Sequence, residues 1–92
     1  MIRSFRSKGL KLYANKGDRS KLGVPHLRRL DAILERLAAA ETPEDLNLPG
    51  WRFHALKGAL AGRYAVDASA NWRVTFAWHD GDAIEVDLED YH

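Results

Sequence analysis

The order of hydrophobic periods along the chain predicts an α+β fold, in which two amino-terminal helices pack on a mainly antiparallel, twisted β-sheet. Before Gly50 the apolar residues recur with the 3.6-residue period of an amphipathic helix, whereas after Gly50 they alternate with polar residues at the period of two that indicates a strand. With 92 residues, of which 46% are hydrophobic, the chain can build one core. We therefore expect a single domain over residues 1–92.

The first half of the chain predicts a short strand and two helices. Ile2 to Phe5 alternates and is typical of an edge strand. Ser7 is suited to cap a helix that ends near Gly17, because its hydroxyl can accept from a free backbone N–H. An amphipathic helix is expected from Pro25 to Ala40, with leucines at spacings of three and four: Leu27, Leu30, Leu34 and Leu37.

The second half predicts four strands and a tight hairpin. Thr42-Pro43-Glu44-Asp45 resembles a capped single turn before the strands begin. Asp80-Gly81 is a strong hairpin signal, because both positions tolerate positive φ. Apolar residues alternate in four segments, around Trp51–Ala55, Tyr64–Val66, Trp72–Trp78 and Ile84–Leu88.

The alternation also predicts which side chains share a face of the sheet. If Trp51 and Phe53 pack under the helices, then Arg52 and His54 point to the opposite, open face. By the same parity Arg73 and Thr75 point outward, whereas the last strand turns Ile84, Val86 and Leu88 inward. Asp90 and His92 follow with inward parity, but strand ends bend and we expect so charged a pair to leave the core. A single β-bulge would change these assignments.

Charge is distributed unevenly along the chain. Residues 1–40 hold ten Lys and Arg against three acids, a net charge of +7, and residues 41–92 hold four against ten, a net charge of −6. The basic half could contact a polyanion, although helices rich in Lys and Arg are also common on solvated surfaces. Cysteine is absent, which excludes disulfides and thiolate metal sites. The charged amino terminus does not resemble a signal peptide and no apolar run could span a membrane, so we expect a soluble cytoplasmic protein.

The polar residues of the predicted open face fit RNA cleavage without a metal or other cofactor. RNA carries its own nucleophile, the 2′-hydroxyl, so the protein needs groups that move protons and stabilise charge. Imidazole groups titrate near neutral pH when unperturbed, so the side chains of His54 and His92 are suited to the proton transfers. The planar guanidinium of Arg73 suits a phosphate, and Tyr91 can stack on a base.

Each of these residues also has a structural interpretation. A single histidine on a strand is more often structural than catalytic, and terminal residues are often frayed. We interpret His26, at the start of a helix, and His79, beside the hairpin, as structural. Three histidines with Asp90 could in principle bind a metal ion, but no recognised ligand spacing is present.

Five motifs occur in the order and spacing of HigB-type toxins of the RelE/ParE superfamily, which the chain resembles over its whole length. They are Leu48-Pro49-Gly50, His54-Ala55-Leu56-Lys57-Gly58, Asp67-Ala68-Ser69-Ala70-Asn71-Trp72-Arg73, Asp80-Gly81-Asp82 and Glu89-Asp90-Tyr91-His92. Ala55 and Ala70 stand where the family usually has proline and glycine.

The resemblance implies a RelE-like toxin that cleaves messenger RNA on the translating ribosome and is silenced by a HigA-type helix-turn-helix antitoxin. Operator DNA would be bound only through the antitoxin complex. The family's catalytic positions match His54, Asp90, Tyr91 and His92, and Arg73 matches a basic residue expected near the phosphate. We expect Lys57 to face the phosphate together with Arg73.

Two other functions are compatible with the sequence. The same superfamily contains inhibitors of DNA gyrase that do not cut RNA, and fold alone does not separate the two activities. A small domain that only binds a partner protein or DNA is the third possibility. An acid–base pair at the carboxyl terminus is required by the first function and by neither of the others.

Overall fold

The computed structural model describes residues 1–24 and 27–90. It contains two α-helices, α1 (Lys8–Lys16) and α2 (Arg28–Ala39), and two single 3₁₀ turns, Pro43–Leu46 and Gly58–Leu60. Four strands follow the helices: β1 (His54–Ala55), β2 (Arg63–Asp67), β3 (Trp72–His79) and β4 (Asp82–Asp90). All neighbouring strands are antiparallel, in the spatial order β1-β2-β3-β4. The predicted α+β architecture is confirmed. No helix in the described ranges is long and apolar enough to cross a membrane.

The helices cover one side of the sheet and form the core with it. Leu10 from α1 and Leu30, Ile33 and Leu37 from α2 are fully buried. They belong to one apolar cluster with inward residues of the strands, namely Val66, Val74, Phe76, Ala83 and Val86. Because each strand buries alternate residues against the helices, its other residues lie on the opposite side of the sheet.

Local signals placed the ends of α1 and the hairpin correctly. The Ser7 hydroxyl accepts from the Leu10 amide at 3.1 Å, and Gly17 closes the helix with a φ of 71°. Asp80 and Gly81 form the two-residue turn between β3 and β4 with φ values of 51° and 81°, as a type I′ hairpin requires. The Thr42 turn has the expected reciprocal cap with Asp45.

The two remaining predictions for the first half need correction. The segment Ile2–Phe5 forms two isolated bridges, Ile2 with Ala83 and Phe5 with Val86, instead of a continuous strand. These bridges run parallel to β4 and lie along its free edge. The second helix begins at Arg28 and not at Pro25, which lies with His26 outside the described residues.

The first strand is shorter than predicted. Trp51 is buried and Phe53 half-buried, as expected, but β1 comprises only His54 and Ala55. Arg52 adopts a φ of 55°, in the left-handed region, which interrupts the extended backbone and its alternation. Ala55, which follows Trp51 and Phe53 in the predicted alternation, is exposed.

A β-bulge corrects the predicted parity of β4. Val74 pairs with Leu88, whereas Ala77 pairs with Ile84, so β4 carries one extra residue in between. Glu85, with a φ of 49°, lies in this interval. Ile84 therefore shares the side of Ala77, away from the helices, and Ala83 takes the buried position in its place.

Candidate active site

The side of the sheet away from the helices carries the candidate residues His54 and Arg73, and we call it the outer face. Strand register places His54 opposite Ala65, Ala65 opposite Thr75, and Thr75 opposite Asp87. The neighbouring row of the outer face contains Asp67, Arg73 and Glu89.

The His54 imidazole is oriented by the irregular backbone just before it. Its Nδ1 lies 2.8 Å from the carbonyl oxygen of Arg52, the residue with positive φ. A carbonyl oxygen can only accept a hydrogen bond, so Nδ1 is the donor and carries the hydrogen. The neutral ring then has its lone pair on Nε2, and the side chain is exposed. This geometry prepares His54 to accept a proton.

Lys57 follows on the same connection, just before the Gly58–Leu60 turn. Its side chain is exposed, and Gly58 turns the chain with a φ of 67°. Lys57 is thus close to His54 in the sequence, and its ammonium group is accessible to solvent.

Arg73 lies on the outer face, as predicted, but it is not open to solvent. Its Nη2 is 3.8 Å from Oε1 of Glu89, its cross-strand partner, and only 19% of the Arg73 side chain is exposed. The other carboxylate oxygen of Glu89 accepts a hydrogen bond from the Thr75 hydroxyl. The guanidinium predicted to face a phosphate is therefore held in an ion pair.

Thr75 was predicted to lie on an open face, and its burial corrects that expectation. It is fully buried, because its hydroxyl lies between the Glu89 carboxylate and the guanidinium of Arg63. The side chains of Arg63 and Glu89 thus cover the centre of the outer face.

Arg63 is the residue that sequence reasoning missed. It is 7% exposed, and its Nη2 donates to Thr75 Oγ1 and to the Glu85 carbonyl, both at 2.9 Å. Burial lowers the pKa of Arg63, and the nearby carboxylates, Glu89 first, oppose that shift. An arginine after a glycine in a strand has no local signal of burial. Two acceptors explain the burial of Arg63. The β-bulge frees the Glu85 carbonyl oxygen, and the Thr75 hydroxyl lies across the sheet.

Charges of opposite sign lie next to each other along the second row of the outer face. Arg52 Nε is 3.6 Å from Asp67 Oδ2, Asp67 is the register partner of Arg73, and Arg73 pairs with Glu89. The outer face is therefore not the strongly cationic surface that the candidate residues suggest when they are considered alone.

Asp90 lies far from His54. It ends β4, is exposed, and is the register partner of Trp72, whose parity is toward the helices. Since β1 and β4 are separated by three strand spacings, their backbones lie about 14 Å apart at the ordinary spacing. Asp90 therefore does not contact the His54 ring. Tyr91 and His92 lie outside the described residues.

No metal-binding cluster of three or more histidine and carboxylate side chains occurs in residues 1–24 and 27–90.

A family model described as the RelE-like toxin of the type II toxin-antitoxin system HigB matches residues 3–92, nearly the whole chain. The chain belongs to the HigB-like toxin family. As a member of this family, it is the toxin component of a system whose other component is an antitoxin.

Two HigB relatives match over nearly their full lengths. The chain is 43% identical over 95 residues to Endoribonuclease HigB of Proteus vulgaris, covering 100% of both proteins. It is 32% identical over 91 residues to Toxin HigB-1 of Vibrio cholerae serotype O1, covering 97% of this chain and 96% of that protein.

Solved structures of YafQ from E. coli support the fold of this HigB-like chain. A point mutant of YafQ superposes with a TM-score of 0.62 at 17% identity, and YafQ from strain BL21(DE3) with a TM-score of 0.62 at 18% identity. Each superposition covers 98% of this chain and 91% of the other. The likeness extends over the helices and the sheet together.

Proposed function

We propose that this HigB-like toxin is a ribosome-dependent endoribonuclease that cleaves messenger RNA by metal-free acid–base catalysis. The full-length relative at 43% identity is named an endoribonuclease. The single observation that carries the mechanism is the hydrogen bond from His54 Nδ1 to the Arg52 carbonyl, because it leaves Nε2 as a proton acceptor on an accessible ring.

The proposed reaction needs two proton transfers. His54 Nε2 takes the proton of the 2′-hydroxyl, and the 2′-oxygen attacks the adjacent phosphorus. The bond from phosphorus to the 5′-oxygen breaks, and the leaving oxygen takes a proton from the His92 imidazolium. The products are a 2′,3′-cyclic phosphate and a 5′-hydroxyl. His92 is assigned as the acid because the accessible lone pair on Nε2 gives His54 the role of base.

Arg73 and Lys57 would stabilise the charge that develops on the phosphoryl oxygens. His54 and Arg73 lie on β1 and β3, and two strand spacings separate those backbones by about 10 Å. Both side chains are long enough to reach a phosphate between them. Arg73 would exchange its contact with Glu89 for the phosphate, and the Thr75 hydroxyl would keep Glu89 in place.

The carboxyl-terminal residues have the remaining roles in this proposal. The separation of Asp90 from His54 across the sheet leaves the His92 imidazole as the ring that Asp90 would orient. Tyr91 would contact a base or the scissile group by stacking and hydrogen bonding.

The basic side of α1 would bind ribosomal RNA. Lys8, Lys11 and Lys16 share one exposed side of a helix that contains no acidic residue. Binding through such lysines releases counterions and weakens steeply with salt. In the cytoplasm a HigA-type antitoxin would silence the toxin, and the complex would contact operator DNA through the antitoxin alone.

Replacement of the histidines tests the catalytic assignment. We expect His54→Ala and His92→Ala each to reduce cleavage by roughly 10²–10⁴-fold, the usual contribution of a general acid or base. Message 5′-end mapping after induction, or single-turnover cleavage on programmed ribosomes, measures this. His79→Ala is the matched control, because His79 is exposed and pairs with the hairpin residue Asp80. Growth arrest with normal cleavage by either variant would contradict the assignment. Uncut message with a DNA-damage response would instead favour gyrase inhibition.

The nucleophile can be tested on the substrate. A message with a 2′-deoxynucleotide before the cut bond should remain intact on the ribosome, whereas the same substitution one nucleotide downstream should be cleaved normally. Equal cleavage of both messages would exclude attack by the 2′-hydroxyl.

A further inference from the structure

A second concave surface lies at the opposite edge of the sheet from His54. It is a groove of about 750 Å³ between α1, α2 and the amino-terminal segment. Ile2 and Phe5 lie along its sheet edge, and Leu34 contributes from α2. The groove persists because the helices present small side chains there, Ala14 on α1 and Ala38 on α2. We call this surface the helix groove.

The helix groove is acidic, although it lies in the basic half of the chain. Residues 1–40 contain only three acids, Asp18, Asp31 and Glu35, and the last two line the groove. Asp31 accepts a hydrogen bond from the Tyr13 hydroxyl, which fixes its carboxylate at the rim. Glu35 is exposed and makes no ion pair with any residue in the described ranges.

This charge pattern separates the groove from the surface proposed to bind RNA. The lysines Lys8, Lys11 and Lys16 lie on one side of α1, whereas Tyr13 and Ala14 of the same helix face the groove. Two carboxylates over an apolar floor repel a phosphate backbone. They attract a cationic side chain beside apolar ones. The surface therefore suits a protein segment and not a nucleic acid.

We propose that the helix groove is the docking site of the antitoxin, and that it receives an amphipathic helix with Lys or Arg opposite Asp31 and Glu35. Apolar side chains at helical spacing would fill the space above Leu34 and Phe5. Membership of a toxin–antitoxin family supplies the partner class, and the acidic rim supplies its charge. The proposal does not depend on the catalytic mechanism, because antitoxin binding is measured without RNA.

A pair of neighbouring alanines on α2 provides a matched test of shape. Ala38 and Ala39 are both exposed, but only Ala38 lines the groove. Ala38→Trp should fill the groove and weaken binding of the purified HigA-type antitoxin by roughly a hundredfold, as expected at the centre of an interface. Ala39→Trp should change the dissociation constant by less than about threefold, since such a contact lies outside the interface. Titration calorimetry gives both constants, and circular dichroism checks that the variants are folded.

A second pair tests charge. Glu35→Lys should weaken antitoxin binding by about tenfold at low salt, and this difference should shrink as salt rises. Glu44→Lys makes the same charge change in the Pro43–Leu46 turn, outside the groove, and should leave binding nearly unchanged.

Three results would overturn the proposal. The first is antitoxin binding by Ala38→Trp with the affinity of the parent. The second is loss of binding in Ala39→Trp alone, which would place the antitoxin on the other side of α2. The third is a toxin dimer that Ala38→Trp dissociates in sedimentation velocity without any effect on antitoxin affinity, which would make a second copy of the chain the occupant.

Discussion

The outer face of the sheet and the lysine side of α1 both carry several cations, but they differ in how those cations are balanced. On the outer face Arg73 lies beside Glu89 and Arg52 beside Asp67. On α1 the three exposed lysines belong to a helix without an acid. Pairing fixes the position of a guanidinium and reduces its long-range field, whereas unbalanced lysines attract a polyanion from a distance.

The difference suggests a division of labour in an RNA-cutting toxin. Catalysis requires groups placed within a fraction of an ångström, which buried hydrogen bonds and ion pairs can provide. Retention on the ribosome requires charge and little geometry. Replacing a paired cation should therefore affect the rate of cleavage or the stability of the fold, whereas replacing an unpaired lysine should affect binding to the ribosome.

Among the cations, the largest effect is expected at Arg73. Arg73→Ala should reduce single-turnover cleavage by roughly 10²–10³-fold, as for loss of one donor to transition-state charge. Arg73→Lys should recover only part of the rate, because an ammonium group cannot contact phosphate oxygens bidentately. The rate constants for bound RNA measure this. Cleavage within threefold of the parent by Arg73→Ala would show that the pair with Glu89 is only structural.

A smaller effect, on stability, is expected at Arg63. Arg63→Met keeps the length of the side chain but leaves Thr75 and the Glu85 carbonyl without their donor, which should lower the free energy of unfolding by about 1–3 kcal/mol. Arg52→Met is the control, because its ion pair with Asp67 joins a side chain that is 79% exposed. Its expected cost is below about 1 kcal/mol. Urea denaturation compares the two variants, and equal costs would refute the special role of Arg63.

The smallest effect concerns salt dependence. Replacing Lys8, Lys11 and Lys16 by glutamine should reduce the slope of log K against log salt for ribosome binding by about 2–3, one counterion for each lost contact. A matched triple removes three paired cations instead, Arg3, Arg6 and Arg52, whose partners are Asp82, Glu85 and Asp67. Its slope should change less. A larger change in slope for the variant that lacks Arg3, Arg6 and Arg52 would contradict the proposal that the α1 lysines bind ribosomal RNA.

Local chemistry accounts for the parts of the fold that were predicted well. Ser7 and Gly17 delimit α1, and Asp80-Gly81 forms the hairpin, because each signal acts within a few residues of the chain. The residues of the candidate site could not be predicted from such local signals. His54, Asp90, Tyr91 and His92 were singled out by resemblance to a family, and their chemistry made that assignment reasonable.

The features that were not predicted depend on contacts between distant residues. Arg52 has no sequence signal for positive φ, yet its conformation shortens β1 and orients His54. The extra residue in β4 is defined only by pairing with β3, so alternation alone put Ile84 on the wrong face. The burial of Arg63 then follows from that bulge, since the Glu85 carbonyl becomes its acceptor.

The amino-terminal segment along β4 has a consequence for how this small protein meets other chains. Backbone hydrogen bonds from Arg3 and Arg6 to Ala83 and Val86 occupy an edge that would otherwise template another strand. The opposite edge is β1, only two residues long. With one edge occupied and the other only two residues long, the sheet offers another chain little free backbone to pair with. Recognition by partners is thereby left to side chains.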